Sequence, residues 1–129
     1  MRGRTVDGMT TTETTSLETV IDTYFGAWNE ADRTARLALI GQSFSDGAHY
    51  VDPLSDVAGH DGIADMIEGV RAQFVGATLQ RTGDIDTHHN VARFPWSATG
   101  ADGELIVAGI DVVVIGDDGR VDALAGFFG

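Results

Sequence analysis

The sequence predicts a single α+β domain in which three helices cover one face of a curved antiparallel sheet. Two patterns and one size argument carry this. The first half of the chain repeats apolar residues at helical spacing, while the second half alternates with a period of two between Gly/Asp turns. A chain of 129 residues, 43% hydrophobic and 22% charged, builds one core and has no length for a second. Residues 1–15, "MRGRTVDGMTTTETT", are polar and Thr-rich and read as a disordered tail, with Met9 a second candidate start of translation, so the domain is assigned to residues 16–129.

The elements follow in order. Thr15 and Glu18 have capping-box spacing before "LETVIDTYFGAWNEAD", where Leu17, Val20, Ile21, Tyr24 and Trp28 form one stripe of a first helix. Asp32 is placed to cap a second helix through "RTARLALIGQSF", with Leu37, Ile40 and Phe44 facing inward. "SDG" then turns the chain into a strand, "AHYVDP". Ile63, Met66, Ile67, Val70 and Phe74 predict a third helix from about Asp61 to Val75.

From Thr78 the runs "TLQRTGDIDTHH", "NVARFPWSA", "ELIVAGIDVVVIG" and "RVDALAGFF" predict an antiparallel meander, its last strands joined by "TGADG" and "GDDG". Pro95 cannot donate to a ladder, which predicts a bulge or an edge there. The strand 104–115 is apolar on both parities, so both of its faces need cover. The helices supply one cover and a second copy the other, which predicts a homodimer packed through the sheet.

Composition narrows the partners. Eight basic against twenty acidic residues, a net charge of -12, repel phosphate backbones and anionic lipid surfaces, so neither nucleic acid nor membrane is expected. Without cysteine there is no disulfide framework and no thiolate ligand or nucleophile. No apolar signal region or spanning stretch is present, and a cytoplasmic location is the default. Seventeen glycines include no GxGxxG or P-loop pattern, and adjacent His88 and His89 diverge on a strand, so neither cofactor nor metal is expected.

Three residues remain as candidates for chemistry. Asp111 shares a strand face with Val107, Gly109 and Val113, where an ionised, unpaired carboxylate would be costly. It is either a hydrogen-bonded acid at a bulge or a functional acid at a cavity. Asp52 ends a strand beside Pro53, as a turn aspartate or as a carboxylate at a cavity mouth. Tyr24, one turn from Trp28, is a core aromatic or a donor.

Taken together, "YFGAWNEAD", "VDP" with "GHDGIADMI", "GID" before a hydrophobic strand, and "LAGFFG" resemble ketosteroid isomerase along most of the chain after the tail. The resemblance implies the nuclear transport factor 2-like fold, a cystatin-like cone, usually dimeric. It also implies cofactor-independent isomerisation: Asp52 as the base that moves a proton between carbons α and γ to a carbonyl, with Tyr24 and a protonated Asp111 as donors to the enolate oxygen. The segment "THHNVARFPW" is more similar to the SnoaL-like branch that includes polyketide cyclases, where Asp111 with His88 or His89 would serve carbon–carbon bond formation. Limonene-epoxide hydrolase shares the fold, but "ALAGFFG" lacks the carboxylate that enzyme carries there. Trp28, Met66, His89, Trp96, Leu124 and Phe128 are the expected substrate-binding walls of a hydrophobic small-molecule site, and a purely ligand-binding dimer stays open beside the enzymes.

Overall fold

The computed structural model describes residues 5–129, with side chains from Leu17 onward. The tail expected over residues 1–15 and the Thr15–Glu18 capping pair therefore fall outside the residues described in full. In chain order the elements are α1 (Thr5–Asn29), α2 (Arg33–Ser43), β1 (Phe44–Asp52), β2 (Ser55–Ala58), α3 (Gly59–Gln73), β3 (Thr78–Arg81), β4 (Asp86–His88), β5 (Val91–Thr99), β6 (Leu105–Ile115) and β7 (Val121–Phe128). The strands form one open sheet in the order β2-β1-β7-β6-β5-β3, with β4 also paired to β5. This is the α+β cone, three helices laid on one face of a bent sheet.

The helical stripes dictate the packing. Ile21, Tyr24, Phe25 and Trp28 of α1, Ile40 of α2, and Ile63 and Ile67 of α3 are buried against Phe44, Tyr50, Phe94, Trp96, Val113 and Leu124 of the sheet. Each large side chain removed from water contributes roughly 1.5–3 kcal/mol before entropy is counted. Asp32 caps α2 as expected, its Oδ2 accepting from the Ala35 N–H at 2.9 Å. Arg81 pairs with Glu18, and Arg93 with Asp86, at the surface.

Four features depart from the sequence reading. The sheet is mixed, because β1 pairs with β7 in parallel. Short turns force the meander β5–β6–β7 to be antiparallel, but no turn ties β1 to β7, and alternation does not encode strand direction. The loop expected after Pro53 instead folds back as β2, pairing Asp52 with Ser55, and α3 begins at Gly59. Four residues with a single large apolar side chain are too few to show a period. The long run after Thr78 is divided into β3 and β4, both on β5.

Pro95 lies opposite the break between these two strands. It stays in register with Ile110, and its carbonyl accepts from the Thr82 N–H at 2.9 Å, so its missing donor faces the interruption. The bulge in this part of the sheet comes later, between Ala98 and Thr99, and leaves Ile106 without a partner on β5.

Candidate active site

Strand parity builds the site. Tyr50 and Asp52 are two apart on β1 and share its inner face, as do Val107, Gly109, Asp111 and Val113 on β6. Asp111 pairs with Gly126 of β7, and β1 runs beside β7 with Val51 opposite Ala125. One residue further along that parallel register, Asp52 reaches the level of Gly126. Two acids thus flank a glycine across three adjacent strands.

These residues border an apolar cavity of about 200 Å³. Tyr24 and Trp28 enter it from α1, Val70 and Phe74 from α3 and its end, and Trp96, Val107 and Phe128 from the sheet. The Tyr24 hydroxyl donates to Asp111 Oδ2 at 3.1 Å. Tyr50 donates to Asp52 Oδ2 at 2.7 Å, and the Leu54 N–H donates to Asp52 Oδ1 at 2.9 Å. Asp52 is therefore both a turn aspartate and a cavity carboxyl, oriented through both oxygens.

The two acids sit in different surroundings. Burial pushes the Asp111 carboxyl up to about 7; the Tyr24 hydrogen bond opposes this, the Asp52 charge adds to it, and the Trp96 indole opposes it least. The Trp96 N–H falls short of hydrogen-bond geometry, as does that of Trp28, and both are buried. Tyr24 is raised well above the usual phenol range by burial and then by the Asp111 charge; Tyr50 is raised by burial and then by its bond to Asp52. Both phenols therefore stay protonated as donors.

Of the nine expected site residues, Tyr24, Trp28, Asp52, Trp96, Asp111 and Phe128 meet at this cavity. Three do not line it. Met66 packs against the core, while Val70 and Phe74 further along the same stripe reach the cavity. Leu124 is fully buried core on the inner face of β7. His89 is exposed in the turn after β4 with φ 51°, its ring nitrogen 3.0 Å from that of His88, so strand parity does not govern it and neither histidine lines the cavity.

The sequence reading missed Tyr50 and Gly126. Tyr50 was discoverable, since it precedes Asp52 by two in "AHYVDPL" and must share its face. Gly126 needed the β1–β7 register. The regular pairing of Asp111 with Phe94 and Gly126 removes the reading of Asp111 as a bulge residue. Among the described residues no group of three His, Cys, Asp or Glu could hold a metal ion, and no helix is long and apolar enough to cross a membrane.

A bent open sheet under three helices, with two unlike acids and a tyrosine on its apolar hollow, defines a nuclear transport factor 2-like, cystatin-like cone. Solved structures share it. A proposed isomerase of the SnoaL-like family from Agrobacterium tumefaciens str. C58 is 40% identical, over 89% of this chain and 98% of that one, with a TM-score of 0.84. The chain belongs to the SnoaL-like family. A protein of cystatin-like fold from Methylobium petroleophilum PM1 (20% identity, 88% and 76% covered, TM-score 0.71) and a proposed SnoaL-like polyketide cyclase from Jannaschia sp. CCS1 (12%, 88% and 85%, 0.72) match in fold. No protein-family model matches the chain, and no curated protein does.

Proposed function

We propose that the protein is a cofactor-independent acid/base catalyst acting on a neutral hydrophobic ketone, shifting a double bond in the manner of ketosteroid isomerase. The observation that carries this is the pair of carboxyls with separated environments on one apolar cavity: Asp52 oriented at the strand end, Asp111 buried and pushed toward its neutral form. Asp52 removes the proton from the carbon α to the carbonyl, and the electron pair moves onto oxygen. Tyr24 and protonated Asp111 donate to that oxygen as its charge develops. The proton then returns from Asp52 to the γ carbon, so the double bond moves and nothing is gained or lost. Tyr50 holds Asp52 in aim throughout.

Among the described residues, the cavity lining contains no Arg, Lys or His. An anionic substrate would meet two acids and no cation, which supports an uncharged one. The 40% identity to a proposed isomerase also supports this reading. Cyclisation assisted by His88 or His89 has less support, because both side chains lie away from the cavity.

The test is hydrogen–deuterium exchange and double-bond migration on a panel of unsaturated ketones, steroid-like and polyketide-like members included. Exchange by the wild type is expected. Binding of these ketones without exchange or conversion would leave a ligand-binding module.

A further inference from the structure

Gly126 is a glycine without a backbone reason to be one. It lies within β7 and is not among the residues of positive φ, so its conformation is open to any amino acid. Glycine inside a strand weakens the strand and marks a place where something approaches closely. What approaches is the pair of acids. A Cβ on Gly126 would stand 3.0 Å from Asp111 Oδ1 and 3.2 Å from the Asp52 Cβ, so a single methyl group would fill the interval between them.

A ketone held for the proposed reaction has its oxygen at Tyr24 and Asp111 and its α-carbon at Asp52. The bond joining carbonyl and α-carbon must then cross from one acid to the other, directly over Gly126. We propose that Gly126 is a specificity-determining residue: that bond lies flat on its backbone, so the site takes neutral ketones whose α-carbon is an unbranched CH2. A branch aimed at the sheet would meet the atoms that a Cβ would meet. This inference rests on the roles proposed for Asp52 and Asp111.

The probes are α-tetralone, which has one enolisable CH2, and its α,α-dimethyl derivative, in which one methyl must face the sheet. Trp28 and Trp96, the chain's two tryptophans, both line the cavity, so intrinsic fluorescence reads occupancy. The wild type is expected to bind α-tetralone at least about tenfold more tightly than the dimethyl compound, the discrimination typical of one misplaced methyl group in a fitted pocket. Gly126→Ala should lose about tenfold for α-tetralone and most of the discrimination. Val70→Ala, on the helical wall, should weaken both probes alike.

Equal binding of the two ketones by the wild type, no binding of α-tetralone, or a folded Gly126→Ala that binds it as the wild type does would overturn the inference. Deuterium exchange at the α-carbon tests the acid/base reading separately. Discrimination without exchange removes the chemistry and keeps the floor; exchange without discrimination does the reverse.

Discussion

The hydroxyl of Tyr24 donates to Asp111 Oδ2 at 3.1 Å, joining the first helix to the central strand across 87 positions of sequence. That bond opposes the effect of burial on the Asp111 carboxyl and is the second-largest influence on it. Removing the hydroxyl should therefore raise the Asp111 pKa further above about 7. In Tyr24→Phe, carboxyl carbon NMR should show the Asp111 titration moved up, while turnover falls by a factor of about 10² through loss of one enolate donor. A titration that moves down would show that Tyr24 is not an effective donor to this acid.

Asp52 acts on the same carboxyl from the other side of Gly126. Its charge raises the Asp111 pKa, so Asp52→Asn should lower it while removing the base. Two independent readouts follow: turnover reduced by a factor of about 10² or more, and an Asp111 titration displaced downward. Ketone binding should survive. A variant as active as the wild type would make Asp52 a turn residue alone.

Asp111 also predicts how stability depends on pH. Its folded-state pKa, about 7, lies above the ordinary 3.8, so between these values the folded state holds a proton that the unfolded state has released. The stabilisation is fully present below about 4, declines as pH rises toward 7, and is gone above it. The slope is at most about 1.4 kcal/mol per pH unit within that window. Asp111→Asn keeps shape and a donor without the ionisation, so its melting temperature should match the wild type near pH 4 and exceed it at pH 8. Asp111→Ala opens a hole and should be less stable than Asp111→Asn at both.

The same acid sets the alkaline limb of activity. In the free enzyme, kcat/KM should fall as pH rises through about 7, when Asp111 ceases to be a neutral donor. In Asp111→Asn that limb should be absent, with residual activity above that of Asp111→Ala because the amide still donates. A profile unchanged by Asp111→Asn would assign the limb to another group.

The reach of the sequence depended on the range of each signal. Tyr24 and Asp111 were legible because the helix stripe and the strand parity each fix a side chain's direction from its near neighbours. Asp52 was legible because Pro53 marks a strand end. His89 was misplaced because a run that alternated like one strand is interrupted, leaving His89 in a left-handed turn. Met66 and Leu124 were placed on the correct apolar faces, but a face does not say which of its residues borders a hollow and which is packed solid. Gly126 was illegible for a different reason: its position between two acids arises from a parallel pairing of the first and last strands, which no local pattern encodes.

The outer face of the sheet gives the last prediction. Ile110 and Phe127 are cross-strand partners on β6 and β7, and both are exposed, with Val114 beyond them on the same parity. The helices occupy the inner face, so among the described residues nothing covers this apolar surface. A second copy is the occupant that the two-sided hydrophobicity of residues 104–115 favours, since the same patch on each copy is self-complementary about a two-fold axis. Sedimentation at micromolar concentration should show a dimer. Ile110→Lys places a charge where the two sheets would meet and should shift the protein toward monomer, because an unpaired charge buried at an interface is costly. The side chain points away from the cavity, so α-tetralone binding by the monomer should remain within about twofold of the wild type, as is usual for a surface substitution remote from the site. A wild type that sediments as a monomer, or an Ile110→Lys variant that stays dimeric, would remove this face as the interface.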